Sequence, residues 1–170
     1  APGCARAKFT GEMGEGGWTI LAPQMAPYHF ERLVPIFKRA GYNVALLPSG
    51  DHGAVDAGLK YVNNDICYPS ILVTGQIMEA VLSGKYDTDK LAVLITQTGG
   101  GCRATNYISP IRKALKSAGP GHIPVIALSF KDLGEEHPGF KVTPQLPYQA
   151  IHATQYGDLH MLCLYRTRPY

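Results

Sequence analysis

Long apolar runs are missing from this chain. None approaches the roughly 20 residues a membrane-spanning helix needs, and no charged start followed by an apolar segment marks a secretory signal. Both gaps predict a soluble, cytoplasmic protein without a membrane partner. A surplus of one charge is missing too. The 16 Lys and Arg against 13 Asp and Glu leave a net charge of +3, and the basic residues are scattered rather than gathered into a stripe, which argues against a nucleic-acid partner. Cysteine is scarce. Cys4, Cys67, Cys102 and Cys163 are too few and too widely spaced for a disulfide scaffold. No Cys-x-x-Cys pair offers a zinc ribbon or a ferredoxin loop, so any metal site must be assembled by the fold.

Histidine adds little. The six His residues form no i, i+4 ligand pair, and only His29, expected just after the first strand, stands where it could reach a functional rim. Internal repeats are absent, and the one biased tract is the glycine-rich lead-in "GEMGEGG". Residues 1–17 are expected to be a flexible lead-in, and residues 18–170 a single α/β domain. At 170 residues with 45% apolar composition, the chain is large enough for one real core. It opens without Met and stops at "YRTRPY", which suggests a piece of a longer polypeptide.

What is present alternates between strand and helix. "WTILAP", "YNVALL", "LAVLITQ" and "IPVIALSF" are short apolar runs that read as strands. Between the first two, Phe30, Leu33, Val34 and Phe37 fall on one helical face, with Gly41 as the stop; Pro35 is expected to kink that helix or to make its regular part begin later. "GAVDAGLKYV", "PSILVTGQIMEAVLSG" and "SPIRKALKSAG" read as further helices, the last opened by Pro110 and closed by Gly119. Ile151, Thr154, Asp158, Met161, Leu162 and Tyr165 recur at helical spacing in one long C-terminal helix. The pattern predicts an open parallel sheet of about four strands with helices on both faces, a Rossmann-like α/β fold.

In such sheets the functional crevice lies outside the carboxyl ends of the strands. Cys102 follows the third strand across "TGGG", and Cys67 opens the helix that leads back to that strand, so both are expected on one rim. A helix N-terminus and a glycine-rich loop each present backbone N–H groups that favour a thiolate. Thiolates on a shared rim suit iron–sulfur or soft-metal ligation, or redox exchange. Reading both as inert buried side chains leaves their polar neighbours unexplained. Asn64, Gln97, Thr98 and the Gly99, Gly100 and Gly101 amides are the candidate hydrogen-bonding groups around them. Cys163 sits without polar company, and Cys4 reaches a site only if the lead-in folds back. Gly99 to Gly101 match neither the Walker nor the dinucleotide fingerprint.

The stretches "YVNNDICYPSILVTGQIMEAVLSGKYD", "LITQTGGGCRATNYISPIRKALKSAG", "IPVIALSF" and "YGDLHMLCLYRTRPY" closely resemble the dehydratase-like region of the large CoA-substrate-specific enzyme activases, which belong with the 2-hydroxyacyl-CoA dehydratases and benzoyl-CoA reductases. The resemblance spans roughly residue 18 to the end. It implies an oxygen-sensitive protein of anaerobes whose cubane-type 4Fe-4S cluster serves ATP-driven, low-potential electron transfer. Cys67 in "NDICYP" and Cys102 in "GGGCRATNY" look like the two cluster ligands. The partners implied are the remaining domains of a longer protein and a CoA-ester dehydratase or reductase. Neither a second α/β domain nor an ATP-binding module can be read in the 170 residues, so alone they are expected to form an incomplete, inactive site. Two other readings stay open: a thiol–disulfide redox domain using the same pair, and a non-catalytic binding or assembly domain.

Overall fold

The computed structural model describes residues 7–63, 65–97, 106–128 and 137–168. Four parallel strands, β1 (Thr19–Ala22), β2 (Asn43–Leu46), β3 (Leu91–Thr96) and β4 (Val125–Leu128), form one sheet in the order β2-β1-β3-β4. Ile20 stands opposite both Val44 and Ala92, and Leu94 opposite Ile126. The helices are α1 (Gly11–Glu15), α2 (Pro27–Arg39), α3 (His52–Tyr61), α4 (Tyr68–Leu82), α5 (Ile108–Ala118) and α6 (Gln145–Thr167), and a short 3₁₀ turn, Thr88–Lys90, leads into β3. This is the expected open α/β fold.

Strand order decides which helix covers which face. The chain steps one way from β1 to β2, then turns back past β1 to β3 and on to β4. With right-handed crossovers, α2 must cover one face and α4 and α5 the other. The two cores agree. Leu21, Val93, Ile95 and Val125 point toward Ile77, Val81, Ile111 and Leu115 of α4 and α5. Their alternates Ile20, Ala22, Val44, Leu94 and Ile126 point toward Phe37 of α2 and Leu146 of α6. Period-two alternation thus serves two apolar faces, which is why the strands read as continuous apolar runs.

Three regions add detail to the expected layout. Pro35 lies inside α2, which begins at Pro27 rather than later; Pro27 takes the first turn, where a missing N–H is harmless. Within residues 7–17 one side chain, Phe9, is anchored in the core. Phe9 is fully buried, donates its N–H to His137 Nδ1 at 3.1 Å and accepts at its carbonyl from Gly139 N at 2.9 Å. In α6 the buried positions are Leu146 and Gly157, whereas Ile151, Leu162 and Tyr165 of the periodic set are exposed. Among the described residues, no helix is long and apolar enough to cross a membrane.

Helix α3 packs antiparallel on α4 through glycines. Ala54 faces Gly75 and Gly58 faces Ile71, and a Cβ on Gly75 would lie 1.6 Å from the Ala54 carbonyl oxygen. Helix α4 is thereby fixed from outside while its inner stripe rests on the sheet.

Candidate functional site

The carboxyl edge between β1 and β3 is the topological switch point of this strand order, where ligands of open α/β sheets bind. The height of α4 there is set by Gln76, which is buried. Its Oε1 accepts from Gln24 N at 2.8 Å and its Nε2 donates to Gln24 O at 3.2 Å, clamping the loop that follows β1. Since α4 ends toward the start of β3, the nine residues from Gln76 back to Cys67 carry the helix past the sheet edge, by about 13 Å along its axis at 1.5 Å per residue.

Cys67 caps α4 at its N-terminus, in an extended conformation (φ −63°, ψ 143°). Its carbonyl accepts from Ser70 N at 2.9 Å and Ile71 N at 3.4 Å, and its thiol makes no capping bond. Asp65 does not cap the helix either, because its carboxylate accepts from Asn63 Nδ2 at 3.2 Å. The thiol faces inward. Cys67 Sγ lies 3.3 Å from the hydroxyl of Tyr107, a buried residue immediately before α5. The sulfur at the N-terminus of α4, which contributes positive partial charge, thus meets a side chain from the residue that precedes α5.

Below Cys67 runs a row of side chains at helical spacing: Ser70, Thr74, Ile77 and Val81. The last two belong to the core on the α4–α5 face. Ser70 and Thr74 continue the row past the sheet edge, buried to 0% and 1% exposure, with hydroxyl oxygens that have no hydrogen-bond partner among the described residues. Buried hydroxyls are ordinarily paired. Along this single buried row the side chains change from apolar to hydroxyl toward the N-terminal end of α4.

The expected site residues divide as follows. Cys67 is at a helix mouth on the carboxyl edge. Gln97 continues from β3, its N–H donating to Leu128 O at 2.8 Å. Asn64, Thr98, Gly99, Gly100, Gly101, Cys102 and Cys4 lie outside the described residues. His29 does not join the rim: it sits in α2, on the other face of the sheet, with Nε2 2.9 Å from Asp158 Oδ1 of α6 and its ring against Gly157. Cys163 is exposed on α6. Tyr107, Ser70, Thr74 and Gln76 were not singled out from the sequence, although all four lie within the quoted cysteine stretches. A polar residue within an apolar helical stripe was the available signal for Ser70, Thr74 and Gln76.

The donor set can be tested against an iron–sulfur cluster. A half-buried thiol at a helix N-terminus beside a phenol hydroxyl suits a thiolate ligand, because both neighbours stabilise negative charge on sulfur. One thiol does not hold a cubane. Among the described residues, no group of three or more His, Cys, Asp or Glu could hold an ion, so a cluster here would draw its other thiolates from Cys102 or from beyond this chain. Compared with protein-family models, with curated proteins and with solved structures, the chain matches none.

Proposed function

We propose that this domain lends thiolate ligands to an iron–sulfur cluster, Cys67 from the head of α4 and Cys102 from the loop between β3 and α5. The cluster would serve low-potential electron transfer in a system like that of the 2-hydroxyacyl-CoA dehydratases and their activases. The observation that carries the reading is the position of Cys67 Sγ: 3.3 Å from the Tyr107 hydroxyl, at the head of a buried hydroxyl row, on the carboxyl edge of a parallel sheet. Tyr107 is five residues after Cys102 in the sequence.

When bound, the cluster would supply one-electron chemistry at low potential. The chain's own residues would hold it and tune it. Cys67 would provide the ligand, the N-terminus of α4 would favour negative charge on its sulfur, and the Tyr107 hydroxyl can donate to it. Hydrogen bonds of that kind raise a cluster's reduction potential and fix ligand orientation. A thiol–disulfide exchanger would use the same two cysteines.

Anaerobic reconstitution separates these readings. The chain joined to the remaining domains of its longer polypeptide, and the same protein with Cys67→Ser or Cys102→Ser, are each supplied with iron and sulfide, and bound metal is measured after desalting. Cluster ligation predicts iron and sulfide in the parent and a loss of at least tenfold in each variant. Equal metal in parent and variants, or a parent that only forms and breaks one disulfide, would overturn the cluster reading.

A further inference from the structure

We infer that the opposite face of the sheet carries a second site, which binds an uncharged, apolar small molecule in a slot between α2, α6 and the strands. A cavity of about 460 Å³ opens there. Its floor is Leu94 of β3 with Leu46 and Leu128, the last residues of β2 and β4, and its walls include Phe30 and Leu33 of α2 and Ala150 of α6. Val44, Leu94, Phe37 and Leu146, which also line it, belong to the core on the α2–α6 face, whereas Cys67 packs on the α4–α5 core. The sheet separates the two.

The sequence leaves this slot open by its choice of small residues. Helix α6 touches α2 at Gly157, where a Cβ would come within 2.6 Å of the His29 ring, and the His29 to Asp158 hydrogen bond ties the helices at that point. Toward its start, α6 turns Ala150 and Thr154 inward opposite Phe30, Leu33 and Val34, and these short side chains do not fill the gap. Protein interiors otherwise pack to crystal density with few voids larger than water. An apolar slot of this volume lies within the size range of small-molecule sites, and it opens at the strands' carboxyl ends, where such sites occur.

The lining defines the ligand. Among the described residues no ionisable side chain lines the slot, so a charged group held by them would lose its hydration without finding a partner. Thr96, Gln97 and Thr154 bring polar atoms to a lining that is otherwise apolar, enough to orient one hydroxyl, ester or ketone. A cavity of about 150 Å³ accommodates benzene, so this one has room for about three such groups. The class is therefore an aromatic or branched aliphatic compound with at most one neutral polar function.

The test uses N-phenyl-1-naphthylamine, an uncharged dye of three aromatic rings that fluoresces in apolar surroundings. Saturable binding of one dye per chain is expected, with displacement by decan-1-ol and at least tenfold weaker displacement by decanoate at pH 8. Ala150→Phe should weaken dye binding at least tenfold while leaving the thermal midpoint equal or higher. Thr154→Leu is the second filling variant, should the first fail to fold. Leu159→Lys, on the exposed side of α6, and Cys67→Ser should leave binding within twofold, so this site and the cluster proposal fail separately. Non-saturable fluorescence, equal displacement by decanoate, or unchanged affinity in a folded filling variant would overturn the inference. Exclusion of the dye by a polypeptide segment seated in the slot would overturn it as well.

Discussion

The contact between α3 and α4 allows a sharp test through Gly75→Ala. The added Cβ would lie 1.6 Å from the Ala54 carbonyl oxygen, 2.6 Å from the carbonyl carbon and 3.0 Å from Gly58 N. Ordinary contact starts near 3.4 Å, so the helices must separate by about 1.8 Å, and every obstructing atom belongs to main chain. Side-chain truncation such as Ala54→Gly therefore brings no relief. Overpacking of this kind costs about 1–3 kcal/mol, sometimes more, against a helix-propensity gain of about 1 kcal/mol for replacing glycine. Because backbone cannot move aside as a side chain can, the cost falls at the upper end of that range, about 3 kcal/mol, and the expected net loss of about 2 kcal/mol lowers the thermal midpoint of a chain of this length by about 4–8 °C. Gly11→Ala, where a Cβ meets nothing within 4 Å, receives only the propensity gain and should hold or raise stability. Urea unfolding of parent, both single variants and the Ala54→Gly, Gly75→Ala double variant provides the comparison. A Gly75→Ala protein as stable as its parent, or one rescued by Ala54→Gly, would refute the close backbone approach that fixes α4.

Gln76→Ala removes both hydrogen bonds to Gln24 and leaves main-chain groups in a partly buried loop without their partners, which should cost about 1–3 kcal/mol in urea unfolding; Gln76→Glu keeps only the acceptor and should not restore the parent's stability. Phe9→Ala empties a site of 1% exposure and should cost about 3–5 kcal/mol, whereas a loose lead-in would make it neutral. Tyr107→Phe deletes the hydroxyl beside Cys67 Sγ; iodoacetamide should then alkylate Cys67 several-fold more slowly at pH 8, with folding changed by about 1 kcal/mol or less. An unchanged alkylation rate would remove Tyr107 from the thiol's environment.

The architecture was legible because local and long-range cues agree in it. Val93 and Leu94 look alike in sequence yet serve opposite cores, and an uninterrupted apolar run is what a strand covered on both faces requires. The ends of α4 and α5 were equally plain, since Pro69, Pro110 and Gly119 mark them by their own backbone limits. Pro35 misled because its local effect favours a break, while Leu33, Val34 and Phe37 gain more by staying on one helical face against the sheet. Phe9 was invisible for a different reason. Its partner His137 lies 128 residues away, and nothing in "GCARAKFTGEMG" announces that contact. The exposed stripe of α6 shows the same limit. Periodicity identifies a helix, but it does not say which of two apolar faces, Leu146 to Gly157 or Tyr148 to Leu159, meets the domain.

Each site was legible to the extent that it depends on chain order. Cys67 could be placed at a helix mouth and on the carboxyl edge because the strand and helix sequence dictates both. Its pairing with Tyr107 depends on the spacing of α4 and α5 over the sheet, which no local pattern encodes. The slot is further from view still. Phe30, Leu33, Val34 and Phe37 read as an ordinary core face, and only the meeting of α6 with α2 at Gly157 shows that Ala150 and Thr154 leave that face uncovered. One clamp bears on both sites. Gln76 holds Gln24 from the α4 side, and the next residue, Met25, lines the slot on the other side. The loop after β1 is thus positioned by the helix whose N-terminus bears the thiol while it forms part of the apolar wall, so the two sites share a rigid edge although the sheet keeps their ligands apart.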